Sequence, residues 1–315
     1  MEEVAACDLC GGTAFKPRAR FPEYLLFTGD VFTLVTCAGC ELSFVNPRPT
    51  REAVGRFYGD DYFAHRGDQP TPVAAWQRQL ATRSPAELGW LRRFWLRIRQ
   101  DVAWYGIPRE RGDRRILDLG CGSGKLLDIM RGMGWQTYGA DVSTSAIERA
   151  RAKGHQGVIG GAEDRHFAGE TFDVVYMWHA LEHCHAPAKA LANVHDSLRP
   201  GGQFMLCVPN FNSAQSKIFG KYWWSSDAPR HLFQFTRKTV RRYLTQAGFK
   251  NIVITTRTGP TSWVRAFRHT INGWFGTRLQ TDPDWLVDVF TSWVVAGSLV
   301  RYYGVGCELR VTCER

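Results

Sequence analysis

Three groups of residues in this chain have types and spacings that do chemistry. The first is Ile116-Leu117-Asp118-Leu119-Gly120-Cys121-Gly122-Ser123-Gly124, an apolar run that empties into glycines at alternate positions. Glycines let a backbone turn sharply and approach a ligand, and a helix opening there offers free N–H groups and a positive dipole end to an anion. Asp141 stands 21 residues beyond Gly120, at the end of the next apolar run, where an acidic side chain accepts hydrogen bonds from ribose hydroxyls. Together they predict an adenosine-like ligand. The second group is His179, Glu182 and His183, just past an apolar run ending at Trp178, with His231 as a more distant candidate. A histidine titrating near neutrality strips a proton from a hydroxyl or amine, and an adjacent carboxylate orients it or binds a metal. The third is Cys7-x-x-Cys10 and Cys37-x-x-Cys40, two pairs with 26 residues between them. Each pair forms a knuckle that sets two thiolates on one ion, and four thiolates suit tetrahedral zinc. A zinc ribbon is expected, its metal structural and stabilising a segment too small to build its own core. Cys121, Cys184, Cys207, Cys307 and Cys313 show no ligand spacing and read as small buried residues.

The elements that must position these groups follow from pattern. The 315 residues, 44% hydrophobic and 22% charged, describe a globular chain and exclude disorder as its main state. Length and punctuation divide it into a ribbon module over 1–50, a helical linker or cap over 51–113, and an α/β domain over 114–315. Within the linker, 86–104 reads as helical. From Arg114 short apolar runs alternate with helical ones, the mark of a parallel sheet covered by helices. Strands are expected at 115–119, 136–140, 157–159, 172–178, 203–208, 249–256 and 305–313. Helices are expected at 125–131, 144–153 and 187–198, and again after the N-cap candidate Thr236. An insertion over 257–304, carrying Trp263, Phe267, Trp274, Phe275, Trp285 and Trp293, is too long for a turn and reads as an acceptor wall, a dimer contact or plain core.

The glycine spacing is GxGxG rather than the GxGxxG of dinucleotide sites, and Asp118, two residues before the first glycine, meets a cationic group better than a pyrophosphate. S-adenosylmethionine carries such an ammonium. On these residues the chain resembles the class I S-adenosylmethionine-dependent methyltransferases. The resemblance continues through Asp141, Gly161-Ala162-Glu163-Asp164, Phe172-Asp173-Val174-Val175 and Leu198-Arg199-Pro200-Gly201-Gly202. It implies a Rossmann-like seven-stranded sheet whose last strand is antiparallel. It also implies that Asp118 and the backbone of Gly120, Cys121 and Gly122 hold the methionine part of the cofactor. Asp141 would hold the ribose, Val142, Glu163 and Asp164 would flank the adenine, and Trp178 and His179 would approach the cofactor after the fourth strand.

Leu181-Glu182-His183 is similar to the Leu-Glu-His of small-molecule methyltransferases, including ubiquinone-pathway O-methyltransferases in which a Glu-x-x-Glu-His set is associated with a divalent cation. Here His179 replaces the first Glu, which puts that metal in question, and His183 is the first candidate base. The HxxEH text also matches a zinc-protease pattern, but such a motif belongs on a long helix, whereas this one is wedged between a strand and Pro187. In related methyltransferases the segment Ala228-Pro229-Arg230-His231 borders the acceptor, so His231 is a second candidate base and Arg230 an anion contact. The ribbon, with Asn46-Pro47-Arg48-Pro49, Phe57-Tyr58 and Asp61-Tyr62-Phe63, resembles the amino-terminal module of a bacterial methyltransferase group associated with polysaccharide and secondary-metabolite pathways.

The expected function is O-methylation of a small molecule or sugar, with N- or C-methylation and RNA modification as alternatives. Net charge is +10, and residues 217–257 hold nine Lys/Arg against Asp227, so the acceptor is expected to be anionic, with Lys217 and Lys221 as further contacts. Residues 1–50 hold four Lys/Arg against six Asp/Glu, which argues against a ribbon gripping nucleic acid. The acidic start lacks a signal pattern, and the uncharged run 289–300 falls short of the roughly 18 residues that span a bilayer. A cytoplasmic location is expected.

Overall fold

The computed structural model describes residues 1–58, 112–167, 169–258, 260–277 and 306–315, with Gly106 and Pro108. The expected helix over 86–104, the run 289–300, and Trp285 and Trp293 lie outside the described residues.

Apolar runs bounded by glycine turns become a seven-stranded sheet. Its strands are β4 (Arg115–Leu119), β5 (Gln136–Asp141), β6 (Gln156–Ile159), β7 (Phe172–Trp178), β8 (Leu198–Pro209), β10 (Lys250–Arg257) and β11 (Glu308–Glu314). The order is β10-β11-β8-β7-β4-β5-β6, and β11 alone runs antiparallel to its neighbours. The central strands β4 and β7 are buried on both faces, which is why they read as unbroken apolar runs instead of alternating ones. Helices α2 (Lys125–Gly132), α3 (Thr144–Ala152), α4 (Pro187–Ser197) and α6 (Arg237–Gln246) connect them. Ser143 caps α3 by accepting from the Ala146 N–H, Pro187 opens α4, and Thr236 with Thr239 forms a reciprocal box at the start of α6.

One boundary differs from expectation. Arg199-Pro200-Gly201-Gly202 is not a turn ahead of β8 but lies inside it, since Leu198 already pairs with Phe172 and the register shifts before Val174. Gly201 sits at a φ of 73°, and a Cβ at Gly202 would lie 2.8 Å from the Arg199 carbonyl oxygen, so the two glycines permit the bulge.

The amino-terminal residues form β1 (Phe15–Pro22), β2 (Val31–Cys37) and β3 (Ser43–Val45), an antiparallel meander, followed by the short α1 (Arg51–Val54). Its fourth strand comes from far along the chain: β9 (Phe233–Gln234) pairs with β3. Among the described residues the largest apolar cluster runs without a break from Cys7, Leu9 and Val35 through Leu232 and Tyr243 to Leu117 and Val175 in the large sheet. A short helix α5 (Ala214–Phe219) follows β8, and the insertion begins with α7 (Pro260–Phe275), which packs on it. No helix among the described residues is long and apolar enough to cross a membrane.

Candidate functional site

The glycine loop leaves β4 at its carboxyl end. Gly120, Gly122 and Gly124 all take positive φ, so each alternate glycine does backbone work that an L side chain resists. A Cβ on Gly120 would lie 2.8 Å from the Ala180 Cβ, so the loop is pressed against the turn that carries His179 and Glu182. Asp141 braces the loop from β5: its Oδ2 accepts from the Gly122 N–H at 2.9 Å and its Oδ1 from the Ser143 N–H at 2.9 Å. Asp118 is buried, and its Oδ1 has no hydrogen-bond partner among the described residues. Burial, then the neighbouring Asp141 charge, push its carboxyl up to about 8. An orphaned buried carboxyl of this kind fits a cationic group, as the ammonium of S-adenosylmethionine would supply. Val142 projects into solvent and Asp164 is exposed, with its Oδ2 accepting from the Gly161 N–H. Glu163 is turned elsewhere. Its carboxylate takes Arg51 at 2.7 and 2.8 Å and the Ala186 N–H at 2.7 Å, tying α1 to the start of α4.

Past Trp178 the chain turns at His179, whose φ is 51°, into a single 3-10 turn over Leu181–His183. This tight path brings His179 Nδ1 within 3.1 Å of Glu182 Oε1. Glu182 is fully buried; burial opposes its charge, but His179, His231 and His183 outweigh it and hold the carboxyl below its ordinary range. His183 Nδ1 lies 3.0 Å from the Arg230 backbone oxygen and 2.9 Å from the Tyr58 hydroxyl. A carbonyl only accepts, so Nδ1 carries the proton and Nε2 keeps its lone pair. Burial, then His231, push the His183 imidazole down to about 4, so it is neutral at pH 7. His231 is held the same way, donating Nδ1–H to the Ser225 carbonyl at 2.8 Å. Its Nε2 lies 3.9 Å from Glu182 Oε1 and 3.8 Å from Asp227 Oδ2, and the two imidazole rings sit 4.7 Å apart, edge to face. Ligand atoms of Glu182, His183 and His231 all fall within 4.8 Å of one another.

Arg230 is a correction to the sequence reading. Its side chain is fully buried and cannot meet an acceptor anion. It donates to Asp227 through Nε at 3.1 Å and Nη2 at 2.5 Å, and through Nη1 to Glu23 at 2.8 Å and the Phe57 carbonyl at 2.9 Å. Lys217 and Lys221 are exposed. Tyr58, Glu23 and Asp227 are neighbours of this cluster to which the sequence gives no site role. Asp227 stands three residues before Arg230, at ion-pair spacing.

The four amino-terminal cysteines converge. Cys7 Sγ is 3.5 Å from Cys40 Sγ, Cys10 Sγ is 3.5 Å from Cys37 Sγ, and all four sulfurs lie within 4.8 Å. Zinc with thiolate bonds of about 2.3 Å sets its sulfurs roughly 3.8 Å apart, so the cluster fits a tetrahedral ion. A Cβ on Gly12 would press on Cys10 Sγ at 3.3 Å, which explains the glycine after the first knuckle. The module is fastened to the large domain by Asp8, whose carboxylate accepts from the Tyr243 hydroxyl at 2.8 Å and the Ala188 N–H at 2.9 Å.

The pattern that defines a family described as a methyltransferase domain matches residues 88–254, just over half of the chain. The chain belongs to the methyltransferase-domain family. Curated relatives of this methyltransferase include a ubiquinone biosynthesis O-methyltransferase of Mesorhizobium japonicum, 33% identical over 156 residues, which are 47% of this chain and 63% of the relative. One of the same name from Ruegeria pomeroyi is 36% identical over 113 residues, 34% of this chain and 46% of that protein. The chain thus spans less than two thirds of either relative's length. Among solved structures, phosphoethanolamine N-methyltransferase 2 of Haemonchus contortus, in complex with S-adenosyl-L-methionine, aligns with a TM-score of 0.50 at 18% identity. That alignment covers 96% of the methyltransferase chain and 68% of the other, a likeness of fold.

Proposed function

We propose that this chain transfers a methyl group from S-adenosylmethionine to an oxygen of a small-molecule acceptor in a biosynthetic pathway. The observation that carries the reading is the contact between two differently built halves of one site. The glycine loop with its orphaned Asp118 abuts the turn at Ala180, and that turn presents a neutral His183 whose Nε2 keeps its lone pair. When bound, the cofactor supplies an electrophilic methyl on a sulfonium. Asp118 would receive its ammonium, the backbone at Gly120, Cys121 and Gly122 its carboxylate end, and Asp141 its ribose. On the acceptor side, His183 Nε2 takes the hydroxyl proton, while the Arg230 carbonyl and Glu182 stabilise the imidazolium that results. His231 lies beside it and serves as the second proton acceptor. Two imidazoles with Nδ1 pinned to carbonyls also match the way proteins prepare histidines for a metal, and Glu182 Oε2 has no hydrogen-bond partner among the described residues. A divalent cation on Glu182, His183 and His231 is therefore the second reading of this half.

The relatives named for ubiquinone biosynthesis support a ring hydroxyl as acceptor, and the exposed Lys217 and Lys221 support an anionic substituent on it. The ribbon-like cysteine module supports structural zinc, and nine cysteines without a disulfide among them suit the cytoplasm. We retain 1–50, 51–113 and 114–315 as sequence units. The test is incubation of the purified chain with S-adenosylmethionine and a panel of phenols, catechols and sugars, read by mass spectrometry. Gain of one methylene's mass on a hydroxyl-bearing acceptor is expected. Cofactor binding by calorimetry with transfer only to amines would overturn the oxygen assignment. Loss of turnover on chelation, restored by magnesium, which the thiolate cluster does not take up, would select the cation over the free base.

A further inference from the structure

Cys207 shows no ligand spacing in the sequence, yet the fold sets it between two other donors. It lies near the carboxyl end of β8, across from His179 at the end of β7, and Glu308 opens the adjacent antiparallel β11. His179 Nε2 stands 3.6 Å from Glu308 Oε1 and 3.7 Å from Cys207 Sγ, and Cys207 Sγ stands 3.8 Å from Glu308 Oε2. A separation of 3.6 Å between nitrogen and oxygen is too long for a hydrogen bond. It is close to the edge of a coordination tetrahedron, because zinc at its usual bond lengths to N, O and S holds those atoms about 3.3 to 3.6 Å apart.

From this cluster, in which one Glu308 oxygen faces the imidazole and the other the thiol and one donor atom from each residue lies within 4.8 Å of the others, we infer that His179, Cys207 and Glu308 form a second metal site, for a borderline-soft divalent cation of the zinc class with an open fourth position. Three features support it independently of the distances. The other nitrogen of His179 is held by Glu182, so Nδ1 faces that carboxylate and Nε2 is the ring atom that faces the thiol and Glu308. A carboxylate behind a histidine is the arrangement that fixes the tautomer of a metal ligand. His179 also keeps a left-handed backbone, a conformation that costs free energy in a non-glycine residue and is retained where a side chain must be aimed. The donor set of one thiol, one carboxylate and one imidazole selects zinc or cobalt over magnesium or calcium. Arg310 Nη2 lies 3.2 Å from Glu308 Oε2, so its guanidinium is the outer partner of the carboxylate and offsets part of the charge that the thiolate adds. The His179 side chain remains 32% exposed, which leaves the fourth position open to water or an acceptor oxygen. The trio shares no residue with Glu182, His183 and His231, and its readout needs no methyl transfer, so its failure and that of the proposed activity are distinguishable.

The test is cobalt titration of the chelator-stripped full chain, following the thiolate-to-cobalt absorption, which an ion on Glu182, His183 and His231 does not produce. In the wild-type chain the band should keep growing after the cysteine cluster is filled, reaching saturation one equivalent later than in Cys207→Ala. Metal analysis should find one zinc fewer per chain in that variant. Equal saturation points and equal zinc counts would overturn the site. If Cys207→Ala fails to fold, Glu308→Gln reads the same question: at least about tenfold weaker binding of the last cobalt equivalent supports it. An unchanged isotherm refutes it.

Discussion

The two halves of the site are built in opposite ways. The proposed cofactor half is one continuous stretch, Asp118 to Gly124, braced by Asp141 from the neighbouring strand. The proposed acceptor half is gathered from separate segments: Tyr58, the turn 179–183, Asp227 to His231, and Glu23 from the β1–β2 connection. A site made from one loop is held by its own backbone, whereas a gathered one depends on whatever clamps its segments together. Here the clamp is Arg230, buried among Glu23, Asp227 and the Phe57 carbonyl, with its own carbonyl holding His183.

Substitutions that separate the halves test that contrast. The largest effect is expected from His183→Ala, which should lower turnover by about 10²- to 10⁴-fold while leaving cofactor affinity intact by calorimetry. Equal losses in both would mean that the halves are not separable. Next comes Arg230→Ala, which leaves Glu23 and Asp227 buried without their counter-charge and should cost about 3 to 5 kcal/mol in urea unfolding. Asp118→Asn should weaken cofactor binding by about 10- to 100-fold, the worth of a charged hydrogen bond, without changing the unfolding midpoint by a comparable amount. The smallest effect is in pH dependence. Because the folded His183 is held near 4 against an unfolded value of about 6.5, the fold favours its neutral form. Its contribution to stability is present above about pH 6.5 and lost as pH falls toward 4. The acid limb of kcat/KM should accordingly lie near pH 4 to 5, and a limb at 6.5 would assign the proton to a different group.

The same contrast explains what the sequence made legible. The strands of the sheet and the glycine loop are written in local pattern: apolar runs, alternate glycines and an acid at the end of the next strand; the antiparallel direction of β11 comes only with the family resemblance. Boundaries moved by only a residue or two where caps such as Ser143 and Thr236 mark them. The Arg-Pro-Gly-Gly stretch is ambiguous in sequence because the same residues serve a turn or a strand bulge, and pairing of Leu198 with Phe172 decides for the strand. His179, Glu182 and His183 were visible as a cluster, but the pairing of His183 with Tyr58 and Arg230 spans 125 and 47 residues and leaves no periodic trace. Arg230 misled for a related reason. A cation beside a candidate base reads as a substrate contact until its buried partners are known, and Glu23 lies 207 residues away.

The pairing of β3 with β9 has a further bearing on how such a protein changes over time. The strand donated by the cysteine segment lies directly against the residues that follow His231, and the Val45 N–H donates to the Leu232 carbonyl while the Leu232 N–H donates to that of Glu182. An exchange of amino-terminal segments between homologues would therefore replace part of the wall around the proposed proton acceptors. Swapped chimeras should inherit acceptor preference from both donors, and a graft that carries the first fifty residues without their matching 226–234 counterpart should fold around a mismatched seam.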